Sequence, residues 1–325
     1  MEDTVVVSVS EVAPGTHRRS EIVVQDPDGG TRAVPVHLLV GSAHRPCLAL
    51  VAGVHGDEYD GILALHQVLR ELEPAALLGS VIVIPVANPF AFDAAQRRTP
   101  ADNADLNRVF PGRSDGGLSE RLAWQLCHEV LQQAGLIFTL HGAGAWSSLS
   151  PWVEFQEVPG PLCHASYAAA SASGFPDLIS LPTPPGVLLS AMATMGIPLI
   201  EGEVGGRGTT QPDNVAYYRE RVYAVMRHAG VLGPDGQAGH AAIEQRVWHL
   251  CYVEAPASGV LLRAVGLKDA VRRGDRLGEI VDIDGTVVAT VVAPTDGLVG
   301  AHREHAGVRA GDQVFTLWEP AEAPE

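Results

Sequence analysis

The residue types best suited to chemistry stand directly after two short apolar segments. One segment is followed by His55-Gly56-Asp57-Glu58, and the other is followed by His141-Gly142-Ala143-Gly144. Two imidazoles and one carboxylate, with a fourth position left for water, are typical of a hydrolytic zinc centre, whereas a structural zinc is closed by four protein ligands. We therefore predict that His55, Glu58 and His141 bind one Zn²⁺ per chain.

The elements that must position these residues alternate between strand and helix. The predicted elements are strand 47–54, helix 58–73, strand 80–87, helix 118–134, strand 136–141, strand 198–204 and helix 214–228. This alternation predicts an α/β fold with a mixed, mainly parallel sheet and helices on both faces. Before it, alternating residues at 5–9, 22–25 and 34–40, broken by a turn at 26–30, predict antiparallel strands at one edge of the sheet.

The end of the chain has a different pattern. Residues 230–245 are rich in glycine and read as a linker, and beyond them short apolar runs alternate with Gly-Asp turns. We predict a hydrolase domain over 1–235 and a small all-β sandwich over 245–320. The sandwich resembles biotinyl or lipoyl carrier domains, but it lacks a Met-Lys-Met-like hairpin tip, so we expect no prosthetic group on it.

Composition narrows the partners. The 325-residue chain has a formal net charge of −16, which argues against nucleic acid and anionic membranes because binding phosphates needs clustered Lys and Arg. Its four cysteines have no paired spacing, and the acidic amino terminus does not have the order of a signal peptide. We expect a cytoplasmic protein, and a homo-oligomer is possible.

A long loop between the two histidine segments completes a recognisable pattern. The ordered motifs are Gly53-Val54-His55-Gly56-Asp57-Glu58, Asn88-Pro89, Asp105-Leu106-Asn107-Arg108-Val109-Phe110-Pro111-Gly112, His141-Gly142 and Glu203-Val204-Gly205-Gly206. Over residues 45–210 this pattern resembles the succinylglutamate desuccinylase/aspartoacylase family of zinc hydrolases, which are relatives of the zinc carboxypeptidases. The resemblance implies a deacylase with a zinc carboxypeptidase-like fold and with a small carboxylate-bearing amide as its substrate.

The resemblance also implies roles for individual residues. His55, Glu58 and His141 would hold zinc, and Glu203 would be the general base. The substrate-binding residues would be Asn107 and Arg108, which would grip a carboxylate, and Arg97, which would lie near the scissile carbonyl. Asp105 would accept a hydrogen bond from the ring N–H of His55 and so fix its tautomer.

Two features of the sequence leave alternatives open. Many family members carry an acid two places before the third ligand, where this chain has Thr139, and we interpret the difference as subgroup variation. Glu201 and Glu203 lie on the same face of a strand, so spacing cannot choose between them, but the following Gly-Gly matches Glu203. Outside the motifs, we expect the cluster around His302 to be a solvated turn.

Other functions remain compatible with these residues. The same site would serve a carboxypeptidase acting on short peptides, and a metal-free binding protein could retain the fold without catalysis. Asn107 and Arg108 could also brace their own loop through hydrogen bonds. The segment 143–157 is expected to shape the pocket, and the carboxy-terminal β part could form its roof.

Overall fold

The computed structural model describes residues 7–25, 29–233 and 244–324. The α-helices in these ranges are α1 Tyr59–Glu71, α2 Pro89–Asp93, α3 Leu118–Gln125, α4 Pro161–Ala172, α5 Leu188–Thr194 and α6 Pro212–His228. The first nine strands are β1 Thr16–Gln25, β2 Thr31–Val40, β3 Cys47–Ala52, β4 Ser80–Ile84, β5 Leu136–His141, β6 Ser147–Leu149, β7 Trp152–Glu157, β8 Asp177–Pro182 and β9 Leu199–Glu203. The remaining strands are β10 Arg246–Glu254, β11 Gly259–Arg263, β12 Ala270–Val271, β13 Arg276–Val281, β14 Val287–Val292, β15 Gly297–Arg303, β16 Gly307–Val308 and β17 Gln313–Ala321.

Among the described residues, thirteen strands form one mixed sheet. Its order is β1-β2-β4-β3-β5-β9-β7-β8-β10-β17-β15-β12, with β6 paired to β15. The central strands β4, β3, β5 and β9 are parallel, whereas β7 pairs with β9 in the antiparallel direction. The carboxyl ends of β3, β5 and β9 therefore meet at one edge of the sheet, which is where side chains following those strands converge.

Helices cover both faces of this sheet because the central strands are apolar on both sides. In β3, Ala49 and Val51 face a core shared with α3 and α5, and Leu48 and Leu50 face a core shared with α1, α4 and α6. A parallel sheet buried on both faces gives the near-continuous apolar runs seen in the sequence. The predicted fold class is confirmed.

The carboxy-terminal strands divide between two sheets. Strands β14, β13, β11 and β16 form a separate antiparallel sheet, while β10, β17, β15 and β12 extend the large one. Strand β10 links the carboxy-terminal strands to the first part of the chain, because it pairs in parallel with β8 over Arg246–Trp248. Hydrogen bonding thus continues from the first part of the chain into the second, and the division into domains 1–235 and 245–320 stays a prediction.

The structure corrects some predicted elements at their ends. The edge strands predicted at 22–25 and 34–40 are confirmed within β1 and β2, but the strand predicted at 5–9 is wrong in its described part. Val9–Glu11 form a 3-10 helix, and the Val9 N–H donates to the side chain of the distant Gln133 instead of pairing with a strand. Residues 5 and 6, the turn residues 26–28 and the linker residues 234–243 lie outside the described ranges.

The helix predicted over 118–134 is less regular than expected. It is α-helical only to Gln125, continues as a π-helical turn over Leu126–Val130 and ends in a 3-10 turn over Leu131–Gln133. None of the helices in the described ranges has both the length and the apolar composition needed to cross a membrane.

A cluster of tryptophans joins the two parts of the large sheet. Trp318 in β17 is fully buried, with ring centroids 5.7 Å from Trp152 in β7 and 6.0 Å from Trp248 in β10. Aromatic side chains of this size contribute much of the buried area of a core. The cluster therefore ties the carboxy-terminal strands to the strands that carry the site.

We predict that Trp318→Ala lowers the free energy of unfolding by about 3–5 kcal/mol, because it leaves a large cavity between the two parts. Urea unfolding followed by circular dichroism measures this change. The control is Ile283→Ala, a side chain that is 101% exposed, which should change stability by less than about 0.5 kcal/mol. A change as small as the control's for Trp318→Ala would show that the cluster does not hold the two parts together.

Candidate metal centre

Three predicted ligands converge at the carboxyl edge of the central strands. His55 lies in the turn after β3, Glu58 immediately precedes α1, and His141 is the last residue of β5. Nδ1 of His55 lies 2.8 Å from Glu58 Oε1, and Nδ1 of His141 lies 3.1 Å from Glu58 Oε2. All three side chains are buried, and one donor atom from each lies within 4.8 Å of the others. This donor set fits a single divalent cation.

The backbone around these ligands is held by close packing and hydrogen bonds. A Cβ at Gly56 would lie 2.0 Å from the carbonyl carbon of Ala91, so only glycine lets the His55 turn pack against this loop. Asn88 orders the same loop by accepting from the Ala91 N–H and donating to Thr99. On the other side, the Tyr218 hydroxyl donates to the main-chain oxygen of His141 at 2.6 Å.

Each imidazole also faces a carboxylate on its far side. Nε2 of His55 lies 3.1 Å from Asp105 Oδ1, and Nε2 of His141 lies 3.4 Å from Glu201 Oε1, a longer and weaker contact. Histidines that bind metals characteristically donate their second ring N–H to a carboxylate, which fixes the tautomer and the orientation of the ring. Asp105 and Glu201 occupy the positions for this task.

The contact with Glu201 bears on the unusual Thr139. Thr139 in β5 is the register partner of Glu201 in β9, and its hydroxyl lies 3.4 Å from Glu201 Oε1. The carboxylate of Glu201, on the neighbouring strand, therefore lies next to His141 and close to the side chain of Thr139. Sequence spacing could not separate Glu201 from Glu203. In the structure Glu203 lines the adjacent cavity, whereas Glu201 contacts His141, and the assignment of Glu203 as the general base stays a prediction.

The electrostatics of the cluster favour a cation. Burial opposes ionisation of Glu58 and Asp105, but the adjacent histidines, together with Arg97 at Asp105, hold the pKa of both carboxyls well below the usual range. Burial also works against a charged His141, yet the adjacent carboxylates of Glu201 and Glu58 raise its pKa well above the ordinary value. The ionised carboxylates of Glu58 and Asp105 thus lie beside the imidazoles, and a bound metal cation would neutralise part of their charge.

The residues predicted to bind substrate have different surroundings. The Arg97 guanidinium donates to Asp105 Oδ2 at 2.9 Å and reaches Glu58 Oε1 at 3.4 Å, while also lining the cavity. Arg108 is exposed and lines the same cavity. Asn107 is buried, and its side-chain oxygen accepts from the N–H of Leu188, which ties the loop to α5. This contact leaves the amide nitrogen of Asn107 for the predicted role.

A cavity of about 370 Å³ opens beside the ligand cluster. Glu203, Arg97 and Arg108 line one part of it, and the segment after His141 lines another, as predicted for 143–157. Glu154 in β7 also lines this cavity, although no motif in the sequence pointed to it. Spacing along the sequence could not predict this position. Glu154 reaches the site through the antiparallel pairing of β7 with β9, where it faces Glu201.

Carboxy-terminal strands form the opposite wall of the cavity. Tyr252 of β10, His302 of β15 and Phe315 of β17 are among the residues lining it. The expectation that His302 lies in a solvated turn is wrong, because it is 6% exposed within β15 and is contacted by Arg263. The carboxy-terminal strands therefore lie where the sequence predicted a roof over the pocket.

The match to a known family agrees with the motifs and the geometry. Residues 44–229, more than half of the chain, match the model of the succinylglutamate desuccinylase/aspartoacylase catalytic domain. The chain belongs to this family of deacylases. The recognition based on sequence motifs is therefore confirmed, and so is the zinc carboxypeptidase-like fold class.

Relatives cover almost the whole chain. The sequence is 28% identical over 304 residues to the N-alpha-acetyl-L-2,4-diaminobutyric acid deacetylase of Halomonas elongata, across 90% of this chain and 88% of that protein. The product-bound ectoine utilization protein EutE (DoeB) from Ruegeria pomeroyi is similar with a TM-score of 0.86 and 26% identity, over 95% of this chain and 96% of that one. A succinylglutamate desuccinylase/aspartoacylase from Rhodobacter sphaeroides has a TM-score of 0.85 and 28% identity, covering 94% and 96%.

We predict that Glu201→Gln weakens metal binding by about 10–100-fold, because His141 loses the carboxylate that orients its ring. Competition with a chromophoric chelator measures the affinity. Glu220→Gln, on the exposed side of α6, is the control and should leave the affinity unchanged. Equal affinities for the two variants would show that Glu201 does not act through His141.

We predict that Glu154→Gln raises the free energy of unfolding, and that the increase is larger at higher pH. Burial, then repulsion by Glu201, raises the pKa of Glu154 from 4.5 to about 8, so the wild type loses stability as pH rises from 4.5 to 8. The variant escapes this loss and should be more stable at pH 8 by on the order of 1–3 kcal/mol, with a smaller difference at pH 5. Urea unfolding at both values tests this, and Glu157→Gln on the same strand serves as control. A constant difference between pH 5 and pH 8 would contradict it.

Proposed function

We propose that this protein is a zinc-dependent deacylase that hydrolyses the amide bond of a small N-acyl amino acid. The observation that carries the proposal is the convergence of His55, Glu58 and His141 beside a cavity lined by Glu203 and Arg108. Membership of the family supports hydrolysis of an N-acyl bond. Two nitrogen donors and one carboxylate, which leave a coordination position open, support zinc as the metal.

Zinc bound by this donor set supplies a Lewis acid for the scissile carbonyl and makes water acidic enough to attack near neutral pH. Glu203, which lines the cavity, would accept the proton of the attacking water and return it to the leaving nitrogen. Burial raises the pKa of Glu203, His141 opposes the rise, and the carboxylates of Glu58, Glu154 and Glu201 add to it, so the pKa lies well above the usual value. A carboxyl group with a raised pKa is a stronger base and holds the proton between the two steps.

Two arginines would orient the substrate. Arg108 is exposed to the cavity and is suited to a carboxylate of the substrate, since a guanidinium matches a carboxylate with two parallel hydrogen bonds. Arg97 is held by Asp105 and points toward the ligand cluster, where it would stabilise negative charge developing on the carbonyl oxygen. The relative from Halomonas elongata is named for an N-acetylated amino acid, which supports a substrate of this class. The cytoplasmic location stays a prediction.

We predict that purified protein releases primary amine from N-acyl amino acids, that a chelator abolishes this activity, and that Zn²⁺ restores it. Glu203→Gln should lower kcat by about 10²–10⁴-fold without changing metal content, because it removes the group that transfers the proton. The assay uses acetyl, succinyl and aspartyl amides alongside dipeptides, with Glu157→Gln as the control variant.

Several results would contradict the proposed function. Activity that survives complete removal of metal would exclude the zinc mechanism, and full activity of Glu203→Gln would exclude Glu203 as the proton carrier. Cleavage of dipeptides in preference to acyl amino acids would identify a carboxypeptidase. Metal binding without hydrolysis of any amide would identify a binding protein on the same fold.

A further inference from the structure

The outermost strands of a sheet carry backbone N–H and C=O groups that no neighbouring strand binds. Within the described ranges, the two sheets end in β1, β6, β12, β14 and β16. Natural proteins protect such edges with charged side chains, with proline or by keeping the strand short, because an open edge pairs with another chain. The edge β1 carries Arg18, Arg19 and Glu21, and β6, β12 and β16 are two or three residues long. Four of the five edges are therefore protected in these ways.

Strand β14 is the edge without protection. Its six residues are Val-Val-Ala-Thr-Val-Val, with no charged side chain and no proline. It pairs with β13 on one side, and no strand of the described ranges pairs with the other side. Val287, Val288 and Val292 are 50%, 47% and 47% exposed. An uncharged edge strand rich in β-branched residues is the kind of surface that pairs with another strand.

Charge complementarity indicates which partner fits β14. The net charge of −16 makes two copies of this chain repel each other, so contact between copies needs a surface that adds no further repulsion. On the adjacent strand β13, Arg276 and Glu279 form an ion pair at 2.6 Å, so they add no net charge beside β14. A two-fold contact places the same surface on both sides, and an uncharged strand complements itself in charge, whereas an acidic surface does not. A second copy of this chain is therefore the partner that fits.

The alternation of side chains along β14 restricts how two copies can pair. Ala289 and Val291 pack into the core of the carboxy-terminal part, whereas Val288, Thr290 and Val292 are exposed on the other face. Residues directly opposite each other in an antiparallel pair lie on the same face, so the two-fold axis must pass through a residue and not between two residues. An axis through Thr290 places Val288 opposite Val292 of the second copy, and Ala289 opposite Val291. Side chains of like character then meet on both faces.

We propose that two copies of this protein form a dimer in which β14 pairs antiparallel with β14 of the second copy, about a two-fold axis at Thr290. This axis gives the longest pairing that excludes Val287, where the register with β13 is irregular. The two four-stranded sheets become one continuous sheet, and the open backbone groups of both β14 strands find partners. Because each copy uses its unprotected edge in the contact, the assembly ends at a dimer. Strand β14, which lies wholly within the described ranges, does not line the cavity, so the inference is independent of the proposed deacylase function.

Sedimentation velocity tests the dimer. Wild type should sediment with a mass of about twice the 34.3 kDa of one chain. Thr290→Lys should weaken dimerisation by at least about tenfold, because it places two like charges opposite each other at the axis. The control is Val23→Lys, which adds the same charge at an exposed position of the edge strand β1 and should leave the dimer intact. A monomeric wild type, or equal dimerisation of the two variants, would overturn the proposal.

A cysteine at the axis tests the register of the two strands. Directly opposite residues in an antiparallel pair have Cα atoms about 4.5–5.5 Å apart, which is within the range that a disulfide spans. Thr290→Cys should therefore give a disulfide-linked dimer under mild oxidation, visible on a non-reducing gel. Val292→Cys is the matched control, because its counterpart in the second copy lies four residues farther along, about 14 Å away, which is too far for a disulfide. No linked dimer for Thr290→Cys, or equal linking of Val292→Cys or wild type, would overturn the proposal.

Discussion

The site depends on the carboxylate of Glu58, which stands between the Nδ1 atoms of two buried histidines. It can do so because β3 and β5 are parallel neighbours, which brings the turn after one and the end of the other to the same edge. Asp105 and Glu201 close the arrangement from outside, each beside one Nε2 atom. Since buried carboxylates in such number repel one another, the arrangement favours a divalent cation at its centre.

The cavity beside this cluster is built by both ends of the chain. Parallel strands supply the edge that carries the candidate metal ligands, and the carboxy-terminal strands β10, β15 and β17 supply the facing wall. The buried tryptophan cluster joins the two walls, since Trp318 of β17 packs against Trp152 of β7, which itself lines the cavity. The proposed substrate would bind Arg108 through a carboxylate, with the scissile bond toward Glu203 and the proposed zinc.

Local patterns in the sequence were sufficient for much of this architecture. Apolar runs before His55 and His141 predicted the strands that end at the site, and the ordered motifs identified the family. The sequence did not reveal the position of Glu154, because this residue reaches the cavity through the pairing of β7 with β9, a contact between segments distant in sequence. The burial of His302 and the contact of Glu201 with His141 depend on strand pairing in the same way. Asn107 shows a limit of the sequence motifs themselves. It was expected to bind substrate, but its side-chain oxygen accepts a hydrogen bond from the N–H of Leu188 at the start of α5.

The most direct test of the central claim is an anomalous diffraction map of the crystallised protein at the zinc absorption edge. The account predicts one strong peak per chain, coordinated by Nδ1 of His55, the carboxylate of Glu58 and Nδ1 of His141, with Zn–N distances of about 2.0–2.1 Å. Protein grown with excess zinc that shows no peak there, or a peak bound by other side chains, would contradict the account.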